Sequence, residues 1–216
     1  GWAAPPALCR LLSNHPHIRL LTHSEVLELS PHPHGWQASS NGQLLASAPV
    51  VVLAGAADIC RFVPAAELPL KRIREQITRL PQTATSVQLR TVVCADGYVA
   101  PAHNGEHTLG ASFDMHNQAL SISTAEHQSN LQLLTQISSD LAGRLNSAQL
   151  DPAQLQGRVA FRWTSPDYLP IVGPLAERAE FLTRYAKLGK NANWRTDRPC
   201  PWLDGLYVNS GHGSRG

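Results

Sequence analysis

Apolar residues recur along the chain at two different spacings, and the switches between the two predict its elements. Leu8, Leu11 and Leu12 fall at i, i+3 and i+4 behind Pro5-Pro6, which predicts a helix over 5–13 with proline in its first turn. A strand is expected over roughly 18–29, with Val26, Leu27 and Leu29 near its end. Pro31, Pro33 and Gly35 then turn the chain, Trp36-Gln37-Ala38 resumes a short strand, and Asn41-Gly42 signals a type I′ hairpin. The stretch 50–57 is apolar throughout and rich in valine, the pattern of a strand buried on both faces of a parallel sheet. Ala54, Gly55, Ala56 and Ala57 at its carboxyl end leave room for a bulky group beside the backbone, where open α/β sheets hold ligands. A tightly packed strand-to-helix turn explains the same small residues equally well.

From Leu68 the texture changes. Val87, Leu89 and Thr91 alternate with polar neighbours, and Tyr98-Val99-Ala100 and 108–113 flank an Asn104-Gly105 turn, together predicting an antiparallel meander. Ser123 and Glu126 have the spacing of a capping box. They open one expected helix on which Leu131, Leu134, Ile137, Leu141 and Leu145 recur at steps of three and four, with Gly143 weakening its last turn. Val159, Phe161 and Trp163 alternate with Arg158, Ala160 and Arg162 as a half-buried strand. Residues 176–204 read as basic and irregular, and Leu206-Tyr207-Val208 as a last strand. The fold class is therefore α/β plus α+β: α/β elements at both ends of the chain, with an antiparallel region between them.

Composition narrows the function. Only 16% of the 216 residues are charged, and a formal net charge of +2 is too small to mark a dedicated nucleic-acid binder. The 43% hydrophobic content excludes a disordered chain, and no apolar run approaches the ~18 residues of a membrane span. No basic segment followed by an apolar one marks a secretory signal, so Cys9, Cys60, Cys94 and Cys200 are read as reduced residues of a cytoplasmic protein. The close pairs His15/His17, His32/His34 and His103/His107 sit beside prolines or a turn, and no metal site is expected.

Three features remain for chemistry. The end of the chain, Gly211-His212-Gly213-Ser214-Arg215-Gly216, fits G-x-G-x-x-G formally but lacks the following helix and acidic residue of a dinucleotide fingerprint. As a glycine-rich loop after a strand it still offers backbone N–H groups to an anion. Arg162 projects from a strand, and a guanidinium fixed in that way clamps a carboxylate bidentately. The plain alternative is an ion-paired arginine, with Asp167 its nearest sequence candidate. Basic stretches at 71–79 and 177–198 each carry three more cations than anions, and Tyr185 and Trp194 interleave the second as a stacking surface for single strands would; solvated loops are the alternative.

Several segments together resemble one family along nearly the whole chain: Gly1-Trp2 with Pro6-Ala7-Leu8, Val50–Gly55, Leu68-Pro69 with Arg74-Glu75-Gln76, Cys94–Tyr98, Gly110–Phe113, Arg162–Gly173 and Gly213–Gly216. The chain resembles the flavin-dependent oxidoreductase domain of the bifunctional tRNA 5-methylaminomethyl-2-thiouridine biosynthesis enzymes, relatives of glycine and D-amino-acid oxidases. The resemblance implies an FAD-binding Rossmann-like domain with an antiparallel-sheet substrate domain. It implies parts of the FAD domain at 1–66 and 205–216, a substrate domain at 67–175 and a basic insertion at 176–204. The implied reaction is oxidation of a carboxymethylaminomethyl group on the wobble uridine of tRNA, with glyoxylate released and O2 reoxidising the flavin. Arg162 matches the arginine that holds the substrate carboxylate in the related oxidases, and Tyr98 matches an aromatic residue beside the substrate. Val26, Ala54 and Gly55 match the adenosine side of FAD, and Gly211, His212, Gly213, Ser214, Arg215 and Gly216 match the loop running past the flavin.

The resemblance is incomplete. It implies a first βαβ unit before Gly1, a helix after Gly216 and a fused methyltransferase domain, so the chain by itself is expected to bind FAD poorly or not at all. The family often has glycine where Glu75 stands, and a carboxylate there is expected to crowd or repel the cofactor. The alternative functions are a small-substrate glycine- or sarcosine-type amine oxidase and a non-catalytic tRNA-binding remnant.

Overall fold

The computed structural model describes residues 2–213. In chain order the regular elements begin with helix α1 (Pro5–Ser13) and strands β1 (Glu28–His32), β2 (Gly35–Ser40), β3 (Gln43–Ala48) and β4 (Val51–Leu53). Strands β5 (Lys71–Pro81), β6 (Val93–Cys94), β7 (Tyr98–Val99) and β8 (Glu106–Gly110) follow, then helices α2 (Thr124–Ile137) and α3 (Ser139–Arg144). Strands β9 (Gly157–Thr164) and β10 (Ile171–Ala176), helix α4 (Arg178–Arg184) and strand β11 (Trp202–Ser210) complete them. The chain forms two compact units, one of residues 1–20 and 73–162, the other of 21–72 and 163–216.

The first unit is organised by a five-stranded sheet in the order β6-β7-β8-β5-β9, in which β6–β7, β7–β8 and β5–β8 pair antiparallel. Its apolar core is Leu80, Val99, Leu109, Leu134, Leu141, Ala142 and Leu145. Along β5 the side chains alternate between faces. Arg74, Gln76, Thr78 and Leu80 are buried, with Arg74 only 1% exposed. Three of these four are polar, and each has a partner. Arg74 Nη1 reaches both carboxylate oxygens of Glu126 at 2.5 Å, while Nε and Nη2 donate to the carbonyls of Ala119 and Ser121. Gln76 exchanges two 2.8 Å bonds with the Ser123 backbone, and Asn130 donates to Thr78 Oγ1 and to the Gln76 carbonyl at 3.0 Å. Thr78 Oγ1 also shares a 2.8 Å bond with His127 Nδ1, whereas His127 Nε2 is buried with no partner among the described residues.

The second unit combines the antiparallel meander β1-β2-β3 with a mixed sheet, β10-β11-β4, in which β11 pairs antiparallel with β10 and parallel with β4. Trp36, Leu53, Ile59, Ala65, Leu175, Leu206 and Val208 form its core, and Trp36 donates its indole N–H to the Asp204 carbonyl at 2.8 Å. Asn41 and Gly42 both have positive φ, 49° and 77°, as the type I′ turn requires.

Several expectations are corrected. The strand expected over 18–29 begins only at Glu28 and runs through Pro31 to His32, because a turn at Thr22-His23, with His23 at φ 57°, interrupts the extended chain. The apolar stripe of α1 packs into no core: Leu8, Leu11 and Leu12 are all exposed. β4 is parallel as expected but not buried on both faces, since Leu53 is buried and Val51 partly so, whereas Val52 on the other face is 55% exposed. Residues 86–88 form a 3-10 turn and not a strand, held by reciprocal side-chain to backbone bonds between Thr83 and Ser86 at 2.8 and 3.0 Å. The long helix breaks at Ser138, whose extended backbone and hydroxyl cap a new helix by accepting from Leu141 N. The capping box at its start does not form, because Glu126 pairs with Arg74 and the Ser123 N–H donates to Gln76. The 176–204 segment is not wholly irregular: Glu177 accepts from Ala179 N and Glu180 N and so starts α4. Strand β10 had no clear period-two signal.

Replacing Glu126 with alanine leaves the Arg74 guanidinium buried and unpaired, and urea denaturation should show a loss of about 3–5 kcal/mol. Burial holds His127 below its ordinary value of about 6.5, so the unfolded chain binds the extra proton first as pH falls. Stability should therefore be full at neutral pH and decline below about pH 6.5. A His127→Asn variant should flatten that decline in chemical denaturation across pH 5–8.

Candidate active site

Arg162 sits near the end of β9, beside β5 in the sheet. On β5, Glu75 points to the face opposite Arg74 and Gln76, and there its Oε1 forms an ion pair with Arg162 Nη2. Both side chains are partly covered, Arg162 31% and Glu75 26% exposed. Arg162 Nε is buried and has no hydrogen-bond partner among the described residues. Burial pushes the Glu75 carboxyl upward, against the opposing pull of the Arg162 charge and hydrogen bond. The nearest sequence candidate for an ion pair, Asp167, is engaged elsewhere. It accepts from the Ser165 hydroxyl at 2.7 Å and from Leu169 N at 3.2 Å, and these bonds hold its carboxyl below the usual range.

Tyr98 lies in the same electrostatic neighbourhood. Its phenol is raised first by burial and then by the Glu75 charge, with Arg158 and Arg162 acting the other way. Tyr98 pairs with Gly110 across β7 and β8, and a Cβ added at Gly110 would stand 3.5 Å from the Tyr98 hydroxyl and 3.0 Å from Ile77. The first unit thus pairs Arg162 with Glu75 and places both charges within electrostatic reach of Tyr98. The first two were singled out from the sequence as substrate contacts. Glu75 was singled out only as a carboxylate where relatives have glycine; the alternation along β5 was the signal that puts it on the face opposite Arg74.

The cofactor candidates belong to the second unit. Val26, Ala54 and Gly55 line one cavity of about 310 Å³ together with Leu29, Val52 and Phe62. Its walls are largely apolar, with the Arg61–Glu25 ion pair at 2.5 Å as its main charged feature. This cavity lies at the carboxyl end of β4, next to the strand pairing with β11. Gly211 and Gly213 have φ of +70° and +55°, and Gly213 packs so close to Thr164 that a Cβ would come within 3.0 Å of its hydroxyl. Gly213 N donates to the Trp163 carbonyl, and His212 Nε2 shares a 2.7 Å bond with Asn209. Ser214, Arg215 and Gly216 lie outside the described residues. A largely apolar cavity with Ala54 and Gly55 at the end of β4 and a glycine loop held close to a neighbouring strand both fit a dinucleotide cofactor such as FAD.

The two basic stretches prove less available than their sequence suggests. Arg74 is buried on Glu126, Arg79 lies 3.7 Å from Glu106, and Arg72 stacks 5.1 Å over the Trp163 ring. In the second stretch Arg178 pairs with Glu67 and Arg184 with Glu180. Tyr185 stacks on Phe181 at 4.9 Å and meets Trp194 edge-on at 6.3 Å.

Comparison with known proteins adds the following. The family model described as FAD dependent oxidoreductase matches residues 1–216. The tRNA 5-methylaminomethyl-2-thiouridine biosynthesis bifunctional protein MnmC of Pseudomonas putida is 66% identical over all 216 residues, and that of Pseudomonas fluorescens is 63% identical. The chain spans 33% of the length of each. Among solved structures, glycine oxidase from Geobacillus kaustophilus superposes with a TM-score of 0.62 at 18% identity, over 91% of this chain and 44% of its own. L-proline dehydrogenase from P. horikoshii gives 0.63 at 14% identity, over 93% and 47%. These two establish the likeness of fold.

Because Arg162 supplies both influences that lower the Glu75 carboxyl, Arg162→Met should move it further upward. Carbon-13 NMR titration of labelled glutamate, with Glu75→Gln as the assignment control, reads the shift directly.

Proposed function

The chain belongs to the family of FAD dependent oxidoreductases, and from that premise we propose that it is the amine-oxidising part of a tRNA-modifying enzyme. The reaction is removal of the carboxymethyl group, as glyoxylate, from carboxymethylaminomethyl-uridine at the wobble position. The observation that carries the reading is Arg162: a guanidinium on a strand, partly covered, with a buried Nε that has no partner among the described residues. Bidentate carboxylate binding is the chemistry such a group performs best. The tRNA substrate is supported by the names of the Pseudomonas relatives, and a second, fused activity by the word bifunctional in those names and by the 33% of their length that the chain spans.

FAD, when bound, would supply the two-electron acceptor for oxidising the CH2 beside the carboxylate, with O2 as the oxidant that regenerates it. Everything else falls to the protein. Arg162 holds the carboxylate and so fixes the adjacent CH2 in one orientation, which is where an oriented site gains most of its rate. Tyr98 borders the substrate with a phenol kept protonated by its surroundings. Val26, Ala54 and Gly55 would enclose the adenosine end of the cofactor, and Gly211, His212 and Gly213 would pass its flavin end. Water then cleaves the C–N bond of the oxidised product, leaving aminomethyl-uridine and glyoxylate.

A second reading, a glycine- or sarcosine-type oxidase of free amines, is favoured by one observation: Tyr185 stacks one ring face on Phe181, which leaves less stacking surface for a nucleobase. Mass spectrometry of tRNA bearing the carboxymethylaminomethyl group, treated with the intact protein, tests the proposal. Arg162→Ala should lower the rate roughly 10–100-fold, the worth of a charged hydrogen-bonded pair. Reversing the charge at Lys187 and Lys190 should slow the tRNA reaction and spare N-methylglycine. Unchanged demodification by Arg162→Ala refutes the clamp, and tRNA binding without any flavin turnover identifies a non-catalytic remnant.

A further inference from the structure

We propose that Glu75 is a specificity-determining residue that joins Arg162 in recognising the whole zwitterionic head of an N-substituted glycine, Arg162 taking the carboxylate and Glu75 the ammonium. The inference deepens the carboxylate role of Arg162 proposed above and rests on it.

Two fixed opposite charges make a dipole. A ligand with a carboxylate alone is attracted by Arg162 and repelled by Glu75, and because the two charges are in contact the second effect offsets part of the first. A ligand whose ammonium lies one CH2 from its carboxylate presents the reverse dipole and is attracted at both ends. The pair is only partly exposed, so water screens these effects less than on an open surface.

Both partners have bonding capacity to spare. A guanidinium carries five N–H donors, and Glu75 engages Arg162 through Nη2 while Nε has no partner among the described residues. A carboxylate has about four lone-pair sites, of which the bond to Arg162 takes one. An alternating ring of four charges satisfies these groups without breaking the existing pair.

The simpler alternative is that Glu75 is a plug, a substitute carboxylate that leaves when substrate arrives. The strand argues against it. The residues on either side, Arg74 and Gln76, are locked on the buried face by bonds to Glu126, Ala119, Ser121 and Ser123. The backbone at 75 is therefore held in place, which keeps the Glu75 side chain on the same face of the sheet as Arg162. A ligand must accommodate that negative charge, and a secondary ammonium does so.

Titration calorimetry on the intact, FAD-loaded protein decides the matter with two small probes, N-methylglycine and glycolate, which share a carboxylate and differ in the ammonium. Wild type should prefer N-methylglycine by about tenfold or more. Glu75→Gln should lose about that factor for N-methylglycine and bind glycolate more tightly, and Glu75→Asp should retain the wild-type order. Equal wild-type affinities for the two probes overturn the proposal without any variant. So does a Glu75→Gln protein that tightens on both probes alike, the behaviour of a plug, or that changes on neither. Arg162→Met separates the underlying reading: if it binds both probes as wild type does, the clamp itself is wrong, whereas a loss on both probes leaves Glu75 to be judged by the ammonium comparison.

Discussion

The buried contact between Arg74 and Glu126 is the constraint on which the first unit turns. An arginine 1% exposed is tolerable only because each of its three guanidinium nitrogens finds an acceptor: Glu126 twice for Nη1, and the carbonyls of Ala119 and Ser121 for Nε and Nη2. Those bonds tie β5 to the segment leading into α2. Gln76, bonded to Ser123, and Thr78, bonded to His127 and Asn130, continue the tie along the same face. A slip of β5 by one residue would exchange its faces and strand every one of these groups. The network therefore fixes the face on which Glu75 emerges, and with it the ion pair to Arg162.

That arrangement explains why the candidate site was only half legible in the sequence. Arg162 was readable because Val159, Phe161 and Trp163 alternate around it, and alternation is a local signal. Its partner was not. Pairing of β5 with β9 joins residues far apart in sequence, and nothing near Arg162 points to Glu75; the local candidate was Asp167, which instead stabilises its own turn. The same limit applies to Glu126. Three residues after Ser123, it has the spacing of a helix cap, but the gain from one exposed cap bond is small beside the cost of an unpaired buried arginine. The tertiary contact wins, and the backbone N–H that the cap would have satisfied is taken by Gln76.

Elements were readable where a single local effect decides them. Asn41-Gly42 gave its hairpin and Pro5-Pro6 its helix start, while alternation gave β9 and the short runs 36–38 and 206–208 gave β2 and β11. Failures cluster where side chains bond their own backbone. Ser138 breaks a helix that the leucine spacing continues, and Thr83 with Ser86 curls a segment whose alternation reads as strand. Hydrophobic period carries no information about such bonds, because serine and threonine register in it only as polar positions.

Charge economy links these points to chemistry. A chain with few charged residues, 16% of its length, commits several of them internally: Arg74 to Glu126, Arg178 to Glu67, Arg184 to Glu180 and Arg162 to Glu75. The first of these is a closed structure, with the guanidinium spread over four acceptors. The last is open. Arg162 meets one carboxylate, keeps a buried Nε without a partner among the described residues, and stays about a third exposed. Two arginines in neighbouring strands of one sheet thus differ in the property that separates a structural charge from a binding one, the hydrogen-bonding capacity left over after folding. The clamp proposed for Arg162 needs this capacity unspent, and the network on the opposite face of β5 holds the strand in register without calling on it.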